Sequence, residues 1–438
     1  MPPFPGIYAQ GDQKNHFMLL LTGLNHHTTP IEIREQCYIE TEQLPSLLLQ
    51  IKQLAGIEET VVISTCNRLE VYTVAQNATS ISAITRVICG YYGLNDELIG
   101  SHLHIEQDQR AVSHLMRVAS SLDSMVLGEA QILGQVRNAL SAAVTAGTAG
   151  TLLHRLFERA MHAGKRAHAE TLIGEHTTSI SHAAARLVID HAPAPDADVL
   201  IVGIGEMGAL AAQALTDRGY HNIHIVNRTY NHACDLAERI GATAHEWSFV
   251  WDRLVEADVV ISATGAPHMV LYQQDMRHVV TRRDHKPLVL VDIAVPRDID
   301  PHINTLPNTR VYDIDTMQGV VDDNVAQRLE AVPQVEEIVA EETAKYVAWL
   351  QERSVTPVIC QLREEVQAVV QDELADALNK LQSLSERDQA VVQRMAHRIL
   401  NKVLHAPTVG LRAHAANGDG DEYAQVIREL FDLMPDVR

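Results

Sequence analysis

The stretch VLIVGIGEMG, residues 199–208, decides how the chain folds. Its first four residues are aliphatic, a run of the length expected for a strand buried on both faces. Glycines follow at 203, 205 and 208, and an alanine- and leucine-rich helical segment comes directly after them. The first glycine permits a tight turn, the second lets backbone approach a pyrophosphate, and the third lets helix and strand pack closely. N–H groups at the start of such a helix point at an anion. Gly203, Ile204, Gly205, Glu206, Met207 and Gly208 are therefore the expected cradle of a dinucleotide.

Further apolar runs follow: IHIVN (223–227), DVVISAT (258–264), LVLVDIA (288–294) and RVYDI (310–314), each separated from the next by about a helix length. Strands alternating with helices imply a parallel sheet covered on both faces. The breaker HAPAPDA, 191–197, precedes the first of them. At the end of the second strand, where an NAD site usually places a carboxylate, stand Asn227, Arg228 and Thr229. A carboxylate would repel a 2′-phosphate, whereas Arg228 can pair with it and stack on adenine. NADP(H) is the expected cofactor; the alternative is an arginine that merely faces water. The small residues from Ser262 to Pro267 are expected beside the nicotinamide.

On either side the texture changes. Residues 17–175 mix strand-like LLLTGLNH and TVVISTCN with helical stretches at Val112–Leu122 and Ala130–Ala146, which predicts an α+β domain. Residues 176–316 hold the Rossmann-like sheet. From 317 to 438 the chain reads as all-α, starting with a long amphipathic helix in which Val321, Val325, Leu329, Val335, Val339 and Tyr346 recur. Pro333 predicts a kink or a helix start there. A second stripe, Val391, Val392, Met395, Ile399, Val403 and Leu404, suggests packing on a second subunit, with an intramolecular hairpin as the alternative. The fold class is thus multidomain α/β. Residues 1–16 are Pro-rich and read as a loose leader, without a targeting signature.

A length of 438 residues asks for two or three domains. Five dispersed cysteines without a CxxC pair indicate reduced thiols and a cytoplasmic home. No apolar run approaches the length needed to cross a bilayer. A net charge of −21 disfavours DNA and non-specific RNA, without excluding a shaped site for one RNA. Although there are 23 histidines, none stands in a metal-ligand spacing, and the pairs His26-His27 and His102-x-His104 read as solvated or hydrogen-bonded imidazoles. No metal is expected.

Two clusters carry chemistry. Cys66, in Ser64-Thr65-Cys66-Asn67-Arg68, lies at a strand end with a cation two residues on, the pattern of a low-pKa nucleophile. Equally, it could be a small buried residue. In LDSMVLGEAQILGQV, 122–136, Glu129, Gln131 and Gln135 crowd polar groups together, and Gly128 and Gly134 suggest close backbone approach. A capped helix start with solvent-facing amides is the alternative.

These strings together resemble the glutamyl-tRNA reductase family. The resemblance is carried by GLNHHTTP (23–30) with Arg34-Glu35, STCNRLEVY (64–72), the 122–136 stretch and Gly164-Lys165-Arg166 leading to Glu170-Thr171. It continues through GIGEMG, Asn227-Arg228-Thr229, DIAVPRD (292–298) and RILNKVLHAPT (398–408), in order from about Leu21 to the C-terminus. It implies NADPH-dependent reduction of glutamyl-tRNA(Glu) to glutamate-1-semialdehyde, the first step of tetrapyrrole and haem synthesis from glutamate. It also implies a homodimer of catalytic, NADPH-binding and dimerisation domains, joined by a long spinal helix. By the same resemblance Cys66 forms the thioester and His114 assists proton transfer or polarises the carbonyl. Arg68 clamps the substrate carboxylate, and Thr65, Asn67, Ser124, Glu129, Ala130, Gln131 and Gln135 surround the glutamyl group. An aminotransferase is the implied recipient of the aldehyde. Lys165, Arg166 and the basic stretch Arg394–Lys402 are candidates for touching tRNA. His27 departs from a lysine common in the family, and Ser121 from a glycine. Two other readings compete: a ketone reductase of the shikimate-dehydrogenase kind, which needs no thiol, and a non-catalytic NADP-sensing or RNA-binding regulator.

Overall fold

The computed structural model describes residues 17–39, 42–129, 131–174, 180–317, 325–381 and 385–433. The N-terminal part is built on an antiparallel sheet of β1 (Met18–Asn25), β2 (Ile57–Ser64), β3 (Arg68–Ala75) and β4 (His104–Gln107), in the order β2-β3-β1-β4. β2 and β3 form a hairpin whose turn is residues 65–67, so Cys66 stands at a hairpin tip. Helices Gln131–Thr145 and Thr151–Glu170 pack on β2, and Leu44–Lys52 also packs on it. The sequence pattern misses β3 and β4. Arg68 and Glu70 break the apolar alternation of β3, and both are buried there because they pair with each other and with further partners across the domain.

The second sheet is entirely parallel: β5 (Val199–Val202), β6 (Ile223–Val226), β7 (Thr243–His245), β8 (Val259–Ser262), β9 (Leu288–Asp292) and β10 (Thr309–Tyr312). Its order is β10-β9-β8-β5-β6-β7. Val199 and Ile201 enter one core with Val259, Ile261 and Val291, while Leu200 and Val202 enter another with Val260 and Leu290. Alternate residues of β5, β8 and β9 thus face opposite buried layers, which is why these strands read as unbroken apolar runs. β7, a three-residue polar edge strand, gives no such signal.

Residues 341–433 belong to a second compact unit. Helix Val325–Lys380 leads into it, followed by Glu386–Asn417 and Gly420–Leu430. Its core joins Val355, Val358 and Leu362 to Leu400, Leu404 and Leu411. The predicted stripe divides: Leu404 is buried, whereas Val391, Met395, Ile399 and Val403 stand 51–55% exposed at four-residue spacing. One turn after another of that helix therefore shows an apolar face to solvent in the single chain. The helix begins at Val325 and continues past Pro333, so the predicted helix start there is not found. No described helix is long and apolar enough to cross a membrane.

Helix Gln109–Ala119 ends three residues earlier than the sequence suggests, because Ser121 takes a left-handed backbone with φ of 60°. Glycine would sit there without strain. Ser121 compensates by donating its hydroxyl to the Glu129 carbonyl at 2.7 Å, tying the turn to the polar cluster. Ser121→Ala keeps the backbone strain and loses the bond, so it should destabilise by about 1–3 kcal/mol. Ser121→Gly loses the bond but relieves the strain and should cost less. Chemical denaturation of both variants checks the order, and an alanine variant as stable as the glycine one would contradict it.

Candidate active site

A cleft of about 520 Å³ opens between the hairpin tip and the carboxyl edge of the parallel sheet. From the N-terminal side it is lined by Thr65, Cys66, Asn67, Arg68, Ser124, Glu129, Gln131 and Gln135. Gly205, Glu206, Met207, Thr264 and Ala294 line it from the other. The sheet order explains the position. From β5 the chain moves outward to β6 and β7, then returns to the opposite side for β8, β9 and β10, which leaves a crevice where β5 and β8 end.

The tip itself is held by short local bonds. Thr65 N–H donates to the Arg68 carbonyl at 2.8 Å, and Asn67 N–H to the Thr65 hydroxyl at 3.1 Å. Cys66 at the apex is half-buried. Burial pushes its thiol up to about 12, and the Glu129 charge adds to this, while Arg34 and Arg68 oppose. The sequence pattern anticipates a depressed thiol, with Arg68 as the activating cation. In the structure Arg68 is already committed: Nη1 donates to Glu70 at 2.9 Å and Asp123 at 3.0 Å, and Nη2 to the Asp123 carbonyl.

Glu70, fully buried, also accepts from the Tyr72 hydroxyl at 2.9 Å and pairs with His114 Nε2 at 2.9 Å. Burial alone would raise its carboxyl, but Arg68 and His114 outweigh that and hold it well below the usual range. His114 therefore sits behind the thiol cleft rather than on its wall, with its ring against His104. Donor atoms of Glu70, His114 and Asp123 lie within 4.8 Å of one another, a spacing that would suit a metal. The Arg68 guanidinium occupies that position and supplies the positive charge instead. His27 pairs with Asp123 at 3.1 Å, and His102 Nδ1 bonds the Thr28 carbonyl at 2.7 Å.

In the second cluster, Ser124 Oγ is buried without a partner among the described residues, on the cleft wall. Burial raises the carboxyl of Glu129, with Arg68 opposing. Gln131 reaches across to Glu206 at 3.4 Å, and Gln135 lies one turn further along the same helix face. Ala130 lies outside the described residues. Gly128 has φ of 83°, and a Cβ there would meet the Ile173 carbonyl oxygen at 1.9 Å, as close approach predicts. Nothing lies within 4 Å of a Cβ at Gly134, so that half of the expectation fails.

On the nucleotide side a Cβ at Gly203 would lie 2.7 Å from the Ala263 carbonyl oxygen, and one at Gly208 would lie 2.6 Å from that of Gly203. Ile204 is half-buried between them, and Gly205 caps helix Glu206–Thr216. The cradle fits a pyrophosphate because backbone, not side chain, forms its wall. Asn227 Nδ2 donates to the Thr229 carbonyl at 3.0 Å, which orders the β6 end. Arg228 is exposed there, with no ion pair among the described residues.

Several functional residues escape the sequence pattern. Asp298 is buried and accepts from Ser262 Oγ at 2.8 Å and Thr264 N–H at 2.7 Å, bracing the loop that faces the thiol. Asp292 does the same for Ala294 and Ile299 N–H at 3.0 and 2.8 Å. Arg297 grips Glu35 at 2.8 and 2.9 Å, and Arg34 joins Asn67 to Asp315. All belong to the strings Arg34-Glu35 and DIAVPRD or their neighbourhood, but nothing in the one-dimensional pattern pairs them. Of the basic residues proposed to meet RNA, Arg166 is bound to Glu170 at 2.8 Å and Lys165 is exposed.

Comparison with known proteins accounts for nearly the whole chain. Residues 22–171 match the family model of the glutamyl-tRNA(Glu) reductase N-terminal domain, and 334–433 that of its dimerisation domain. Residues 186–320 match the shikimate/quinate 5-dehydrogenase model, so the middle segment is a nucleotide-binding dehydrogenase domain. Glutamyl-tRNA reductase of Syntrophotalea carbinolica is 38% identical over 419 residues, 95% of each chain. That of Moorella thermoacetica is 39% identical over 421 residues, covering 95% of this chain and 96% of the relative. The solved glutamyl-tRNA reductase from Methanopyrus kandleri is 30% identical, covers 92% of this chain and 98% of that one, and gives a TM-score of 0.48. By identity sustained along its full described length, the chain belongs to the glutamyl-tRNA reductase family.

Proposed function

We propose that this protein reduces the glutamyl ester of tRNA(Glu) to glutamate-1-semialdehyde with NADPH, through a thioester on Cys66. What supports this most is that the hairpin-tip thiol and the glycine cradle open on one cleft. The Cys66 thiolate attacks the ester carbonyl carbon, a carbon–sulfur bond forms, the carbon–oxygen ester bond breaks, and the ribose oxygen departs with the proton that the thiol gave up. A thioester accepts hydride far more readily than a carboxylate, so one hard step becomes two easier ones. Bound NADPH would supply the hydride for that thioester, giving the aldehyde and freeing the Cys66 sulfur as thiolate. Gly203, Ile204, Gly205, Glu206, Met207 and Gly208 would hold its pyrophosphate, and Asn227, Arg228 and Thr229 its 2′-phosphate.

The remaining residues bind and orient. Ser124, Gln131 and Gln135 present polar atoms to the glutamyl group, with Thr65 and Asn67 shaping the tip. Glu129 meets the α-ammonium, which would offset the cost of its burial. Arg68 must exchange Asp123 for the substrate carboxylate if it is to clamp it. His114, paired with Glu70 and 4.0 Å from Asp123, has a positioning part. The exposed stripe from Val391 to Val403 is the face for a second copy, making a homodimer. A cytoplasmic home, domain limits at 17–175, 176–316 and 317–438, and delivery of the aldehyde to an aminotransferase complete the proposal.

Incubation with glutamyl-tRNA and no NADPH should leave a glutamyl adduct on Cys66, or slow ester hydrolysis, read by mass spectrometry. Neither adduct nor hydrolysis would overturn the proposal. Cys66→Ser should lower reduction at least about a thousandfold, since it removes covalent catalysis; a ketone reductase of the shikimate kind would keep its activity. Arg228→Glu should raise the KM for NADPH about tenfold or more by placing a carboxylate against the 2′-phosphate, with little change in KM for NADH. An unchanged KM for NADPH would remove the assignment of Arg228.

A further inference from the structure

Arg34 has no part in the mechanism above, yet it stands beside the nucleophile. It closes the short helix Ile31–Arg34 and its side chain is 3% exposed. One arm of its fork, Nη1, donates to Asn67 Oδ1 at 3.3 Å, on the residue next to Cys66. The other, Nη2, pairs with Asp315, 281 residues away on helix Ile314–Met317 of the nucleotide-binding domain. Its Nε is buried with no acceptor among the described residues. A buried guanidinium bonded to the residue next to the thiol thus keeps one donor to spare.

Among the described residues, Glu129 raises the Cys66 thiol, whereas Arg34 and Arg68 draw it down. Tyr38 and Glu206 line the same cleft, and Asp123, Glu70 and His114 lie behind Arg68. Arg68 is balanced by two carboxylates, both well shielded, so little of its charge is available to the sulfur. Among the described residues Arg34 has a single carboxylate partner, and that partner's side chain is one-third exposed. Its pairing is the adjustable one.

We propose that Arg34 is a positioning residue that stabilises the Cys66 thiolate, and that Asp315 competes with the sulfur for it. The inference rests on the thioester reading. When the thiolate becomes an acyl thioester the sulfur loses its charge, and Arg34 is left with Asp315 as its anion. Acyl capture then strengthens the tie between the N-terminal and nucleotide-binding domains just before the hydride is needed. The thiol is released for the next substrate when the thiolate returns and draws Arg34 back.

The test is the pH dependence of Cys66 alkylation by iodoacetamide in the full chain, mapped by mass spectrometry so that the other cysteines do not contribute. Removing a cation raises a thiol's midpoint and removing a competing anion lowers it. Arg34→Met should therefore shift the profile upward and slow alkylation at a fixed pH about tenfold, the equivalent of one pKa unit. Arg34→Lys should recover part of the rate. Asp315→Asn should shift the profile downward and speed alkylation several-fold. Because Arg34 is buried, its variants need melting curves beside them; Asp315 is one-third exposed, and its opposite sign carries the test alone should Arg34→Met not fold. An Asp315→Asn profile identical to the unaltered protein, or shifted upward, overturns the proposal, as does a folded Arg34→Met protein that alkylates at the original rate. Alkylation uses neither charged tRNA nor NADPH. Unchanged profiles with a normal glutamyl adduct would thus remove only the role of Arg34, whereas a missing adduct would remove the thioester itself.

Discussion

A guanidinium taken out of water must be surrounded by acceptors, and the N-terminal domain is arranged around that requirement at Arg68. Its partners come from three places: Glu70 on the same strand, Asp123 from the loop after the 109–119 helix, and, through Glu70, His114 on that helix. Breaking one side of such a buried pair costs about 3–5 kcal/mol, because the remaining charge is stranded. The network therefore fixes the hairpin tip and the 122–129 segment to each other. Cys66 and Ser124 share a cleft because both are carried on chain held by the same cation.

The second constraint is topological. Parallel strands that turn outward in opposite directions from one pair leave a crevice at their carboxyl ends, and here that crevice is floored by backbone that tolerates no side chain at 203 or 208. Asp292 and Asp298 hold the opposite lip through backbone amides, so its shape does not depend on flexible side chains. Arg297 and Arg34 then tie this lip to the N-terminal domain with buried or half-buried ion pairs. Burial screens such pairs from salt far better than exposure would. Chemistry that needs a thiol on one domain and a dinucleotide on another depends on these ties being specific in geometry.

Much of this was legible in the chain itself. Aliphatic runs at 199–202, 223–226, 258–262 and 288–292 marked strands buried on two faces, since such strands have no polar side to interrupt them. Glycine spacing marked the cradle for the same reason: only local sterics are involved. β3 was not legible, because its buried charges are affordable only next to partners far off in sequence. The thiol's environment was not legible either. Arg68 stands two residues from Cys66 and looks like its activator, but the fold spends that charge on Glu70 and Asp123.

Local rules, then, determined what the sequence could settle unaided: strand and helix periods, the tight glycine turn, the cation at the end of β6, and the order of the domains. These depend on neighbours within a turn or two of the chain. Only the tertiary structure decided which charges neutralise one another, that His114 stands behind the thiol instead of beside it, and that Arg34 bridges to Asp315. Electrostatic partnership is set by distance in space and by exclusion of water, and neither quantity is written along a single chain.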